Sequence, residues 1–199
     1  MSERAAWRNC NSRLSLAQAR DAINVAMTPA PTLETSRLIL RPYRRSDFAH
    51  IFELWSDPRT VRLMGMKPMT EEEAWGKFLR GVGSWHVNGF GMWIVEEKGT
   101  GRFLGELGFI RAKRALEPSI HDYPEVGWSF MAEVHGRGYA TEALAAVLAW
   151  GEDHIGKRRY AAIIAPENEP SLKLARKFGF VEFARTTYKD HPTIILFRG

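Results

Sequence analysis

The sequence predicts an α+β domain built on a mixed, mostly antiparallel sheet with helices on both faces. Three observations carry that reading. Runs of alternating or continuous apolar residues recur as strand candidates along most of the chain. Amphipathic runs with recognisable start and stop residues are interspersed among them. A chain of 199 residues with 45% hydrophobic content is large enough for one good core and small for two, so one domain is expected.

Residues 1–32 stand apart. Arg4, Arg8, Arg13 and Arg20 face only Glu3 and Asp21, and a polar tract closes with Thr28-Pro29-Ala30-Pro31. The segment reads as a flexible N-terminal extension, its Arg-rich, acid-poor composition also resembling an organelle transit peptide, with the domain spanning 33–199. Ser15 to Val25 has the pattern of a short docking helix, and Met27 is an alternative start.

Leu38 to Tyr43 reads as the first strand, and Ser46-Asp47 supplies helix-start chemistry before Ile51, Phe52, Leu54 and Trp55. Asp57-Pro58 ends that helix. Thr70-Glu71-Glu72-Glu73 is a capping box, opening a second helix through Trp75, Phe78, Leu79 and Val82, with Gly89 after it. Gly91 to Glu97 and Arg102 to Ile110 flank the turn Lys98-Gly99-Thr100-Gly101, which makes them an antiparallel pair. Arg111 to Tyr123 is a charged loop. Glu125 to Met131 alternates Val126, Trp128 and Phe130 against Glu125, Gly127 and Ser129, the pattern of a half-buried strand. Ala140, Ala143, Leu144, Val147, Leu148 and Gly151 then mark one face of a long helix, leaving Glu142, Glu152 and Asp153 for water. Tyr160 to Ala165 is a short apolar strand. Asn168 to Phe178 is a helix stopped by Gly179, and Val181 to Tyr188 with Thr193 to Arg198 form a closing hairpin.

The most informative stretch lies between the Glu125 strand and the long helix: His135-Gly136-Arg137-Gly138-Tyr139-Ala140-Thr141-Glu142-Ala143. Two glycines one residue apart let consecutive N–H groups converge on one anion, and the following helix adds its positive end there. A diphosphate fits such a cradle, although a tight strand-to-helix turn accounts for the glycines as well. A Walker loop would need Gly-Lys-Ser/Thr, and a dinucleotide fingerprint a third glycine where Thr141 stands.

That stretch resembles the acetyl-CoA pyrophosphate loop of the GNAT superfamily of N-acetyltransferases, Gln/Arg-x-x-Gly-x-Gly/Ala, with His135 replacing the first residue. Two further stretches, Leu33 to Phe48 and Pro166 to Phe180, are similar in the same order to the branch containing the ribosomal-protein N-terminal acetyltransferases. The resemblance runs from about Leu33 to the chain end. It implies the GNAT fold, with the Glu125 and Tyr160 strands parallel and splayed in a V that receives the pantetheine arm as a pseudo-strand. It implies acetyl-CoA as co-substrate and a primary amine as acceptor, attacked directly in a ternary complex. The cofactor-binding residues it implies are Trp128, Phe130, His135, Gly136, Arg137, Gly138, Tyr139, Ala140, Thr141, Asn168 and Ser171. The matching position of the tyrosine that serves as acid in many relatives is Ala175, so Ser171 becomes the candidate donor to the leaving thiolate, ahead of Tyr139, Tyr160 and Tyr188.

Acetylating an amine requires removing a proton from an ammonium near pKa 10, hence a base. Glu125, ahead of the cofactor loop on the face of Gly127 and Ser129, is one candidate; a salt-bridged strand carboxylate is the plainer reading. Glu106, between Leu104 and Gly108, is the other, and burial would raise its carboxyl towards neutrality; the plainer reading is a surface carboxylate on an edge. His121 and His135 complete the set. Asn168 and Ser171 have the spacing of a helix N-cap and its third residue, which explains both without a ligand. Backbone N–H groups near Trp128 or Ser129 are candidate oxyanion donors.

Composition narrows the classes. Net charge is +5, but Lys and Arg are dispersed, so nucleic acid is an unexpected partner. One cysteine, Cys10, builds neither a disulfide framework nor a zinc cluster, the histidines are scattered, and no metal is expected. No apolar run approaches a membrane span, and no secretory signal is evident, so a cytoplasmic protein is expected. There is no Gly-x-Ser-x-Gly elbow for covalent catalysis. Acceptors left open are a protein or peptide α-amine, a polyamine, an amino acid or an aminoglycoside, and a homodimer is compatible. Two alternative functions stand: a non-catalytic acyl-CoA-binding sensor on the GNAT fold, and a basic nucleic-acid-binding module.

Overall fold

Alternation along the strand runs is satisfied by one open sheet. The computed structural model describes residues 30–156 and 158–199. Its strands are β1 (Leu33–Glu34), β2 (Leu38–Arg41), β3 (Met92–Glu97), β4 (Phe103–Ile110), β5 (Glu125–Phe130), β6 (Tyr160–Ile164), β7 (Val181–Tyr188) and β8 (His191–Arg198). They form an eight-stranded sheet in the order β1-β2-β3-β4-β5-β6-β8-β7, antiparallel except where β5 meets β6.

The helices are α1 (Phe48–Ser56), α2 (Pro58–Val61), α3 (Glu71–Asn88), α4 (Tyr139–His154) and α5 (Glu169–Lys177). Register pairs Glu106 with Ser129, Gly108 with Gly127 and Ile110 with Glu125, so these side chains share one face of the sheet. Helices α1 and α3 cover that face, as Trp55 and Lys77 show by reaching Glu106. Phe109 and Trp93, on the opposite face, pack against Trp150 of α4 at 6.2 and 5.1 Å between ring centroids. Gly151 allows this approach, because a Cβ there would lie 2.3 Å from the Phe109 ring.

The capping box opening α3 is present: the Thr70 hydroxyl accepts from Glu73 N–H at 3.3 Å, and the Glu73 carboxylate accepts from Thr70 N–H at 2.8 Å. Gly89, at φ 72°, closes the helix. The buried stripe is rotated from the sequence reading. Ala74, Phe78, Gly81 and Trp85 face the core, whereas Trp75, Leu79 and Val82 are exposed.

Other details differ for identifiable reasons. Asp47 does not cap α1 with its side chain. Its carboxylate is taken by the buried Arg41 guanidinium, at 2.7 and 2.8 Å, and by Arg44 N–H. Asp57 ends α1 and also caps α2, accepting from Arg59 N–H at 2.8 Å, a helix too short to leave a periodic signal. The charged loop 111–124 carries its own small core, Leu116 and Ile120 against Ile195 and Phe197. Packing begins before Leu33: Ala30 is buried, and the Pro31 carbonyl accepts from the Trp93 indole at 2.7 Å. The rest of the expected extension, including the docking-helix reading of 15–25 and Met27, lies outside the described residues.

Candidate active site

Parallel pairing between β5 and β6 is confined to one register position, Glu125 opposite Ala161. Beyond it the strands diverge. The Pro124 carbonyl accepts from Ala161 N–H, while Met131 N–H donates to Leu104 of β4. By the alternation of a strand, even-numbered residues of β5 therefore address the gap, and odd-numbered ones address β4. Past Val126, which is still paired, Trp128 and Phe130 present their backbone groups to the splay and Ser129 does not. The Phe130 carbonyl is already taken by the His135 ring, at 3.0 Å from Nε2.

Past β5, Gly136 and Gly138 lie at φ 75° and 78°, in the left-handed region where a side chain is strained. Among the described residues, no backbone or side-chain acceptor takes the N–H groups from Gly136 to Thr141, and α4 begins without a side-chain cap. Free N–H groups, a helix N-terminus and a splayed strand edge are what a diphosphate on a pantetheine arm requires, so the residues fit coenzyme A.

The cradle is braced from behind. Glu142, expected on the wet side of α4, instead accepts from the Thr35 and Ser36 hydroxyls, Arg37 N–H and the Arg37 guanidinium, at 2.6 to 2.9 Å. Burial works to raise its pKa, but these hydrogen bonds prevail and hold it at about 2. Arg37 also donates to the Arg137 carbonyl at 3.1 Å and lies over the Tyr139 ring. Sequence reasoning missed this brace because Thr35 and Glu142 are more than a hundred residues apart.

On the other face, Glu106 is fully buried on a central strand, which overturns the reading of a surface carboxylate on an edge. It accepts from the Tyr43 hydroxyl, from the Trp55 indole at 3.1 Å and from the Lys77 ammonium at 2.8 Å. Burial and the neighbouring carboxylate push the Tyr43 phenol well above its ordinary pKa, so it stays a donor. Tyr43, Trp55 and Lys77 carried no motif; the only signal was an acid within an apolar strand, which needs partners.

Glu125 sits at the closed end of the V, where β5 and β6 still pair. Both its oxygens are held by Arg114, at 2.6 and 2.8 Å. Burial works against the Arg114 charge, but Glu125 holds the guanidinium above its ordinary range. Arg114 donates further to the Tyr188 hydroxyl, and its carbonyl meets the His121 ring at 2.7 Å. Glu125, Arg114, His121 and Tyr188 thus form one structural cluster.

Asn168 caps α5, its side chain accepting from Ser171 N–H at 3.2 Å, as the spacing predicted. The Ser171 hydroxyl accepts from the Trp128 indole at 3.2 Å, bringing the two residues together across the splay. Ala175 is fully buried. Of the other candidate phenols, Tyr139 donates to Glu97 at 2.6 Å and Tyr160 to the Gly156 carbonyl at 2.9 Å, while Tyr188 accepts from Arg114 at 3.2 Å.

A splayed parallel pair leading into a free N–H cradle defines a protein of the acyl-CoA-binding class. The acetyltransferase (GNAT) domain family model matches residues 37–181, and the chain belongs to that family, whose activity in general is acetyl-CoA-dependent N-acetylation. It is 30% identical over 151 residues to the uncharacterised N-acetyltransferase YoaA of Bacillus subtilis (strain 168), covering 75% of this chain and 82% of that one. Among solved structures, the acetyltransferase from Agrobacterium tumefaciens str. C58 is 26% identical, with a TM-score of 0.75 over 86% of this chain and 96% of that one. The ribosomal-protein-S5-alanine acetyltransferase from Vibrio fischeri shares the fold, at 20% identity and a TM-score of 0.66, over 85% and 96%. Other solved structures with this fold hold coenzyme A.

Proposed function

We propose that this chain transfers the acetyl group of acetyl-CoA to a primary amine by direct attack in a ternary complex. The observation that carries the reading is the run of free N–H groups from Gly136 to Thr141 at the mouth of the β5–β6 splay. Acetyl-CoA supplies an activated acyl thioester. The protein's part is to hold its diphosphate on those N–H groups, line its arm along the β5 edge and orient the acceptor.

Trp128 N–H is the proposed oxyanion donor, because strand alternation turns it into the gap and turns Ser129 N–H away. Ser171 is the proposed partner of the departing sulfur. With the Trp128 indole occupying an oxygen lone pair, its own O–H remains to donate. Glu106 is the proposed base in preference to Glu125. It faces Ser129 at the open end of the V, and its donors are three separate side chains, so one can yield to an acceptor while the others hold the carboxylate in place. Glu125 would have to leave a two-pronged guanidinium at the closed end. The resemblance of Leu33 to Phe48, Gly136 to Ala143 and Pro166 to Phe180 to the ribosomal-protein N-terminal acetyltransferase branch supports a peptide or protein N-terminus as the acceptor.

Calorimetric titration of acetyl-CoA into the parent and into Gly138→Trp tests the site. Saturable binding by the parent, weakened about 100-fold or more by a bulky side chain at a left-handed position inside the cradle, is expected. CoA release with an amine panel then tests turnover. Binding without transfer to any amine would favour the sensor function, and a folded parent that binds no acetyl-CoA would remove the reading altogether.

A further inference from the structure

The carboxylates on the acceptor-side face of β4 and β5, Glu106 and Glu125, are each neutralised by a cation of the chain itself, Lys77 at 2.8 Å and Arg114 at 2.6 Å. The two differ in kind. Both cations keep 20% of their side-chain exposure, but Arg114 is locked by a bidentate contact, whereas Lys77 is a point charge beside a carboxylate that keeps 1%. The Lys77 ammonium also lies 4.1 Å from the Trp55 ring centroid, so a carboxylate and an aromatic face together make a cage for a primary ammonium, filled from within.

We propose that Lys77 is a specificity-determining residue that excludes strongly basic alkylamines and polyamines and favours weakly basic α-amines as acceptors. The proposal rests on the acetyltransferase reading and on Glu106 as its base. An α-amino group has a pKa of roughly 7.7–8.0 and an alkylamine one near 10.4. Near pH 8 about half of the former is neutral, against less than roughly one part in a hundred of the latter. A lysine ammonium fixed beside the base repels an incoming ammonium and offers no repulsion to a neutral amine. It also spends part of the negative charge that would otherwise draw and deprotonate a polycation.

The surrounding groups do not restore that charge. Asp47 belongs to Arg41, Glu96 also pairs with Arg41, and Glu73 is engaged in the cap of α3. Tyr43, facing Glu106 from the connection after β2, is a donor.

The test is calorimetric titration of spermidine, and separately of an alanine-first tripeptide, into the CoA-saturated parent and into Lys77→Met, with Lys77→Gln as a second variant in case the first fails to fold. In the parent the tripeptide binds more tightly than spermidine. Vacating the cage strengthens spermidine binding about tenfold or more and leaves tripeptide binding within about threefold. Spermidine binding that is unchanged in the variants, or a parent that prefers spermidine, overturns the proposal. These are binding readouts, so they remain decisive if no amine is turned over; absent turnover would count against the acetyltransferase reading instead.

Discussion

The two halves of the site are built from different materials. The proposed cofactor side is made of backbone: free N–H groups at Gly136 to Thr141, a strand edge left open by the splay, and two glycines held at positive φ. The proposed acceptor side is made of side chains gathered from distant elements, with Glu106 meeting Tyr43, Trp55 and Lys77. A backbone site tolerates change in its side chains, which explains how His135 can depart from the family pattern and merely clamp the Phe130 carbonyl. A side-chain site is only as constant as each residue in it, which makes the acceptor half the place where members of one fold diverge.

The contrast breaks most sharply at Glu106. Glu106→Gln keeps the shape but removes the proposed base and its charge, with an amide N–H donating where the carboxylate accepted from Tyr43, so kcat for an α-amine acceptor should fall about 10²–10⁴-fold while acetyl-CoA binding stays within about twofold. Single-turnover kinetics alongside calorimetry separates the two. A variant that turns over normally would return the role of base to Glu125, His121 or water.

Glu125 gives the opposite pattern. Glu125→Ala strands the largely buried Arg114 guanidinium, so it should cost about 3–5 kcal/mol of stability, read by denaturant unfolding, with a much smaller effect on kcat at a temperature where the protein stays folded. A stable variant with lost turnover would reverse the assignment of the two acids.

Ser171 joins the halves. Ser171→Ala should slow transfer about tenfold and leave cofactor affinity almost unchanged, because the proposed role of the hydroxyl is at the departing sulfur and the Asn168 cap uses the Ser171 backbone. If the loss appears in KM for acetyl-CoA instead, the serine holds the arm and plays no part in the chemistry.

How much of this could be read in advance follows from the same division. Gly136 and Gly138 announced the cradle because a positive φ restricts the residue type locally. Thr70 with Glu73, and Asn168 with Ser171, were legible for the same reason, each pair closing a loop of three residues. Lys77 on Glu106 and Arg114 on Glu125 were not, because pairings across the fold leave no spacing rule. The faces of α3 were misread for another reason. Trp75, Leu79 and Val82 are as apolar as Phe78 and Trp85, so composition alone left the rotation of the helix undetermined.

The smallest effect concerns the brace behind the cradle. Glu142 has a folded pKa of about 2 against a reference of 4.5. Its side chain keeps 16% exposure, so solvent screening reduces the linked stabilisation to about 1–2 kcal/mol. Because the folded value is the lower one, this stability is fully present above pH 4.5 and is lost as the pH falls through 2. Glu142→Gln should therefore lower Tm by several degrees at pH 6, and the gap between parent and variant should narrow progressively from pH 4.5 downward. At pH 6 the variant should also bind acetyl-CoA a few-fold more weakly, since the turn carrying Thr35 to Arg37 no longer anchors the start of α4. A Tm gap that stays constant down to pH 3 would show that Glu142 contributes by packing, with its charge irrelevant to the brace.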